Sequence, residues 1–305
     1  MSERYLWLDV AKGIAIILMI LGHTAIPNSI SNFIYAFHMP LFFVASGFTT
    51  NWSKYSNVEF CKYKLKSLMF PFLIYSIIVL FFQSYFLGVN IREILYNGWG
   101  GLALWFIPVL YLSLVLLKLT RFSEKGYLFI LFCVIILSCI ASLLCHFKVF
   151  LSWNLSSVFI ASVFILLGFV LRKTNVINSV LNFKYCFVYF LLTYFISSFY
   201  RLDIAWNQVN PFIFLIISAI SGTLMVFTLS KLMLKHMFPI AHLFIGIGKE
   251  TYVILAFSQT IIMLINHYFH INSYLKYCVL IVVMFMIVKI KNMISAYYLK
   301  LNCIK

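Results

Sequence analysis

Charged side chains are scarce in this sequence. Only 10% of its 305 residues are Asp, Glu, Lys or Arg, against 64% hydrophobic and 19% aromatic residues. This leaves too little polar surface to cover a soluble globule of this size. The composition predicts an all-α, polytopic membrane protein, because helices satisfy every backbone polar group inside the lipid and the segments lack the alternation of membrane strands.

Acidic residues are the rarest charged group, with seven in the chain. None lies in the middle of an apolar segment, which argues against a proton-coupled pump and against a hydrolase with paired carboxylates. The seven cysteines form no C-x-x-C pair and no cluster with histidine at zinc spacing, so we expect no metal site.

Basic residues give a formal net charge of +16, but they stand between apolar runs and form no aromatic-interleaved surface for phosphates. We therefore expect a lipid bilayer and no nucleic acid as partner. About twenty helical residues cross a bilayer, and ten runs qualify. They are approximately 8–26, 33–50, 68–88, 102–119, 127–146, 153–171, 184–200, 211–232, 250–268 and 276–294.

The loops between these runs alternate in basic content. Eighteen Lys and Arg residues fall on one side and four on the other, with Lys12 set aside inside the first run. By the positive-inside rule this predicts about ten spans with both termini in the cytoplasm. No repeat or long linker divides the chain, so residues 1–305 are expected to form one membrane domain. Residues 233–250 are less apolar and could be re-entrant or interfacial.

The first run carries Asp9, Lys12 and His23 on one helical stripe. Lys12 and His23 are eleven residues apart, which returns to within about 20° of the same face and separates them by roughly 16 Å. Asp9 and Lys12 can pair at i, i+3. The second run starts near the level of His23 and carries His38, so the two histidines are expected to converge. Imidazole suits activation of a hydroxyl nucleophile. The alternatives are a hydrogen-bonded packing histidine and a lysine that reaches the headgroups.

Two segments predicted on the outer side contain residues suited to a sugar. Arg201 and Trp206 share one loop, and Trp105 lies in the motif L-W-F-I-P. Arginine can bond hydroxyl groups and tryptophan can stack on a sugar face. The alternative is an ordinary interfacial loop with an aromatic belt.

These motifs resemble a known family. The runs W-L-D-V-A-K-G-(x9)-H and F-H-M-P-L-F-F-x-x-S-G are similar to the acyltransferase type 3 family of bacterial integral-membrane O-acyltransferases, closest to the branch of fucose 4-O-acetylase and related acetyltransferases. K-L-K-S-L-M-F-P-F, L-W-F-I-P and I-G-K-E-T-Y-V-I-L fit the same pattern in order. Lys12 stands where the family usually has arginine, and Ser258 where many relatives have histidine.

The resemblance implies a ten-helix enzyme in the bacterial cytoplasmic membrane that moves an acetyl group from cytosolic acetyl-CoA to a sugar hydroxyl of a surface glycan. His23 would be the general base, and His38 would orient the hydroxyl or support the oxyanion. Lys12 and Asp9 would hold the cofactor, and Trp105, Arg201 and Trp206 would hold the sugar. Transfer is either direct or through an acyl-histidine.

Two other functions fit the same residues. A transporter or flippase for polysaccharide or lipid-linked glycan would also have many spans, a polar stripe and an aromatic outer loop, although paired repeats around a midplane site are expected of it. The same enzyme fold could also use succinyl or another acyl donor.

Overall fold

All the named secondary-structure elements in the described part of the chain are helices. The computed structural model describes residues 5–24, 26–98, 102–269 and 273–303. The helices are α1 (Leu6–Gly22), α2 (Asn28–Thr49), α3 (Asn57–Lys64), α4 (Phe70–Leu87), α5 (Ile91–Asn97), α6 (Phe106–Leu119), α7 (Tyr127–His146), α8 (Ser157–Lys173), α9 (Ile177–Val180), α10 (Phe183–Phe199), α11 (Phe212–His236), α12 (Phe238–Lys249), α13 (Thr251–Tyr268) and α14 (Ser273–Cys303).

The prediction of an all-α polytopic membrane protein is confirmed. Each of the ten apolar runs coincides with a helix. Six helices within the described residues are long and apolar enough to cross a bilayer by length and composition, or seven when the bent pair α12 and α13 counts as one span. The runs 102–119 and 184–200 form shorter apolar helices, Ala103–Leu119 and Phe183–Phe199.

Burial separates central helices from peripheral ones. The apolar windows of α2, α8 and α11 are 72%, 67% and 61% buried inside the protein, whereas those of α3–α4, α7 and α14 are 17%, 17% and 11% buried. The peripheral helices are nevertheless strongly apolar, with a mean hydropathy of 3.0 for α7. An apolar surface of this kind faces lipid.

Glycines let the central helices approach closely. A Cβ on Gly47 of α2 would collide with the backbone of Ile165 in α8, and one on Gly168 of α8 would collide with the backbone of Val44 in α2. Small residues at such crossings allow the backbone contact that drives association of helices in lipid. This contact fixes α2, and with it His38, against α8.

The segment predicted to be re-entrant or interfacial forms a separate helix. Helix α12 begins after a break at Met237, with Pro239 in its first turn, and meets α13 at an angle of 78°. It packs along α1, where Gly248 lies against the backbone of Asp9. The ion pair of Glu250 with Lys291, at 2.8 Å, ties the bend to α14. The broken helix therefore supports the end of α1 that carries Asp9.

Candidate active site

His23 and His38 line one small cavity. His23 caps the C-terminal end of α1, and His38 lies within α2 with 3% of its surface exposed. The cavity that they share, called here the histidine cavity, has a volume of about 50 Å³. At about 10–15 Å³ for each water-sized group, it holds only a few such groups. The short connection from α1 to α2 brings the two side chains to the same end of the bundle.

Tyr35 stands between the two histidines. Its hydroxyl lies 3.3 Å from Nδ1 of His23, and its ring meets the rings of His23 and His38 edge-on at centroid distances of 5.9 and 5.1 Å. The sequence motifs did not point to this residue. Its spacing of three residues before His38, which places both on one face of α2, is the signal that could have found it.

A backbone contact sets the tautomer of His38. Its Nδ1 lies 2.8 Å from the carbonyl oxygen of Ile34. Because a carbonyl only accepts, Nδ1 must carry the proton, and Nε2 of the neutral ring is left as an acceptor. Neutral His38 can therefore take a hydrogen bond from a hydroxyl but cannot donate one from Nε2 to an oxyanion.

The loop that follows α10 folds over the histidine cavity as a small hairpin. Asp203 and Gln208 exchange backbone hydrogen bonds of 3.1 and 2.8 Å, and Asp203 and Trp206 line the cavity. The guanidinium of Arg201 lies 4.2 Å from the ring centroid of Tyr35 and 3.8 Å from the Asp203 carboxylate. We call residues 200–211 the hairpin loop. It adds one cation and one anion beside the histidines.

Burial raises the pKa of the Asp203 carboxyl, while Arg201 and the backbone N–H groups of Trp206 and Ala205 act in the opposite direction. The burial effect is the largest because the side chain is 12% exposed. A carboxylate that is removed from water is favoured less in its charged form. Asp203 therefore depends on Arg201 and on the backbone of its own loop for its charge.

Hydrogen bonds from α8 and from the turn before it hold the hairpin loop in place. Ser157 donates through Oγ to the carbonyl of Ile204 at 2.5 Å, and Asn154 donates through Nδ2 to the carbonyl of Ala205 at 2.6 Å. Both donors are buried. Since each bond joins segments about fifty residues apart, these contacts fix the position of the hairpin loop against α8 and the turn before it.

Trp105 completes the wall of the histidine cavity. It is 5% exposed and ends a short 3-10 helix that precedes α6. The side-chain oxygen of Gln259, on α13, accepts a hydrogen bond from the backbone N–H of Ala103 in the same short helix. Helix α13 thus fixes the segment that presents Trp105 to the cavity.

Lys12 and Asp9 lie at the other end of α1. They form an ion pair of 2.7 Å at i, i+3, and Lys12 lines a second cavity of about 200 Å³ together with Ser46 and Thr49 of α2. We call this the lysine cavity. Phe42 also lines it, and the ring of Phe42 packs against that of Phe106 at 5.9 Å. The predicted cofactor residues are thus separate from the histidines.

A model of the acyltransferase 3 family, described as an acyltransferase domain, matches residues 5–290. The match spans both cavities, the hairpin loop and every helix from α1 to α13. The chain belongs to the acyltransferase 3 family. No curated protein and no solved structure matches it.

In this membrane acyltransferase, the site residues predicted from sequence fall into two groups. Five line the histidine cavity or, in the case of Arg201, contact its wall, and two lie at the lysine end of α1. The first group is His23, His38, Trp105, Arg201 and Trp206, and the second is Lys12 and Asp9. Ser258 is fully buried in α13, and its hydroxyl has no hydrogen-bond partner among the described residues.

Proposed function

We propose that this acyltransferase moves an acetyl group from cytosolic acetyl-CoA to a hydroxyl of a surface polysaccharide or of its lipid-linked precursor. The proposed location is the cytoplasmic membrane of a bacterium. Both termini are proposed to lie in the cytoplasm, because eighteen Lys and Arg residues are assigned to one side and four to the other. One observation carries the proposal. Two histidines meet in a small cavity at one end of α1, and Lys12 lines a separate cavity at the other end.

His23 is the proposed general base. It takes the proton of the acceptor hydroxyl while the hydroxyl oxygen attacks the thioester carbonyl carbon. The carbon–sulfur bond then breaks, and the proton passes to the departing CoA thiolate. Tyr35, with its hydroxyl 3.3 Å from Nδ1 of His23, would keep the imidazole in one orientation.

His38 is the proposed second acceptor for the sugar. Its Nδ1 is engaged by Ile34, so Nε2 accepts a hydrogen bond from the sugar and fixes the position of the reacting hydroxyl. Of the two roles considered for His38, this one agrees with the tautomer. Support of an oxyanion would require the protonated ring.

The donor would approach from the lysine cavity. Lys12 supplies a positive charge for the phosphates of acetyl-CoA, and the ion pair with Asp9 fixes its position. The hydroxyl groups of Ser46 and Thr49 line the same cavity. A histidine cavity of about 50 Å³ favours an acetyl group over succinyl or a longer acyl chain, because each extra group needs about 10–15 Å³.

The acceptor would lie under the hairpin loop. Trp206, which is 45% exposed, and Trp105 offer aromatic faces, and Arg201 offers hydrogen-bond donors. These groups suit a polyhydroxylated substrate, as the resemblance to sugar O-acetylases also suggests.

The test is the O-acetyl content of the host's surface polysaccharide, measured by proton NMR in a deletion strain. The strain carries the wild-type chain, His23→Ala, His38→Ala or the control His146→Ala, and membrane abundance is measured for each. His146 is exposed at the end of α7 and lines neither the histidine cavity nor the lysine cavity. We expect acetyl signals with the wild type and with His146→Ala, and their loss with the other two variants.

Retained acetylation in His23→Ala would remove the base assignment. Unchanged acetylation on deletion, together with a loss of polymer export, would support the transporter function instead. Membership of an acyltransferase family favours the loss of acetylation on deletion.

A further inference from the structure

The histidine cavity is too small for an acceptor sugar. Its volume of about 50 Å³ admits a hydroxyl group and the carbon that bears it, but a pyranose ring with its other hydroxyls needs several times that space. If the proposed function is correct, the rest of the glycan must therefore bind in an adjoining space.

A larger cleft of about 480 Å³ adjoins the histidine cavity. The two share Ala205 and Trp206 of the hairpin loop as lining residues. The cleft runs between that loop, α5 and the short 3-10 helix Ser152–Asn154. Its volume lies in the range of about 300–1,000 Å³ that small-molecule sites occupy in proteins.

Three buried amide side chains give this cleft its chemistry. Gln83, Asn154 and Asn207 line it and are 1%, 9% and 2% exposed. Their side-chain oxygens have no hydrogen-bond partner among the described residues. We call this space the amide cleft. These oxygens are also closed to solvent, so the three amides form a polar wall of the cleft and offer no acceptor that is open to a ligand in this structure.

The amide groups cannot turn freely to find other partners. The Nε2 of Gln83 donates to the hydroxyl of Thr260 at 3.1 Å, and the Nδ2 of Asn207 donates to the carbonyl of Ala141 at 3.2 Å. The Nδ2 of Asn154 is likewise engaged by Ala205. With their nitrogens held, the three side chains are fixed in the wall of the cleft.

Aromatic residues and one carboxylate complete the lining. The rings of Phe150 and Trp206 lie 6.4 Å apart at 79°, and the exposed Glu93 lies in the first turn of α5. A carboxylate acceptor beside apolar ring faces matches a sugar, which carries hydroxyl donors on its edge and C–H groups on its faces.

We infer that the amide cleft binds the glycosyl unit next to the sugar that is acetylated, so that the acceptor is a glycan of at least two units. This inference rests on the proposed function and specifies its substrate. Trp206, which borders both spaces, marks the point where the reacting hydroxyl leaves the cleft and enters the histidine cavity.

The test measures acetyl transfer from radiolabelled acetyl-CoA by the purified full-length protein in lipid nanodiscs. The acceptors are prepared from the host's surface polysaccharide, freed of acetyl by mild alkali, cut by mild acid and separated into single sugars and fragments of two or more units. We expect kcat/KM to rise about tenfold or more from the single sugar to the longer fragments, as one or two additional hydrogen bonds would give.

Two variants examine the cleft itself. Ser152→Trp puts a large ring at an exposed position in the lining and should abolish the advantage of longer fragments. Glu93→Ala should reduce it without filling the space. The control is Ser198→Trp, an exposed serine at the end of α10 that borders neither space, and it should keep the advantage.

Equal kcat/KM for all lengths in the wild type, or a Ser152→Trp enzyme that keeps the preference for longer fragments, would overturn the cleft assignment and leave the transferase intact. Transfer to no fragment at all would overturn the proposed polysaccharide acceptor and the cleft assignment with it.

Discussion

Variants of the ion pair of Lys12 and Asp9 can separate the contribution of Lys12 to the stability of the fold from its contribution to binding of the donor. The two side chains are 2.7 Å apart and are 30% and 7% exposed. Removing one partner of a buried ion pair costs up to about 3–5 kcal/mol. Because Asp9 makes a further interaction and Lys12 keeps some contact with solvent, we expect Lys12→Met to lower the free energy of unfolding by about 3 kcal/mol, the lower end of that range.

The double variant Asp9→Asn/Lys12→Met should reverse this loss. With both charges of the pair gone, neither leaves the other uncompensated, and stability should return to within about 1 kcal/mol of the wild type. At roughly 2 °C per kcal/mol for a chain of this size, the single variant should melt about 6 °C lower than the double. The thermal midpoint of the purified protein measures this difference.

Donor binding should behave differently. If Lys12 contacts the phosphates of acetyl-CoA, the double variant should keep a KM for acetyl-CoA raised about tenfold, the loss of one charge-assisted hydrogen bond. Asp9→Asn alone should change this KM little because the ammonium group remains. Lys235→Met, at an exposed position near the end of α11, is the matched control. A double variant that regains both the midpoint and the KM would show that Lys12 is purely structural.

Three further predictions follow from the site and its scaffold. Tyr35→Phe removes the hydroxyl near His23 and keeps the ring, so kcat should fall about threefold to tenfold with an unchanged melting temperature. Arg201→Met should lower kcat/KM for the glycan about tenfold and leave the KM for acetyl-CoA unchanged, which steady-state kinetics would decide. Gly168→Ala should lower the free energy of unfolding by about 1–3 kcal/mol, because its Cβ overpacks the contact of α8 with α2, and membrane abundance should fall. Gly246→Ala is the control: it has open space around its Cβ position and should retain wild-type membrane abundance.

The sequence contains enough information for the fold class and for the most polar positions of the bundle. Apolar runs of membrane length become helices because lipid leaves the backbone no other way to pair its polar groups. Asp9, Lys12, His23 and His38 stand out for the same reason, since ionisable groups inside such runs are rare. These inferences need only local sequence and the geometry of a helix.

Other parts of the site depend on contacts between distant segments, which no local pattern reveals. The hairpin loop closes over the histidines because Ser157 and Asn154 bond the carbonyls of Ile204 and Ala205. The polar residues of the amide cleft come from separate helices and turns. Gln83, for example, lies inside an apolar run that is typical of an ordinary membrane-spanning helix. Only the packed structure shows that its side chain borders a shared space.

The histidine cavity and the lysine cavity are lined by neighbouring residues of the same two segments. On α2, Met39 lines the histidine cavity and Phe42 lines the lysine cavity, three residues or roughly 4.5 Å further along the axis. On the neighbouring segment, Trp105 and Phe106 are adjacent in sequence and face the two cavities in the same order. If an acetyl group is bound through Lys12 as proposed, the rings of Phe42 and Phe106, 5.9 Å apart, lie on its way to the histidines. Rotation of these rings would open that path while the backbones of α2 and α8 stay fixed by their glycine contacts.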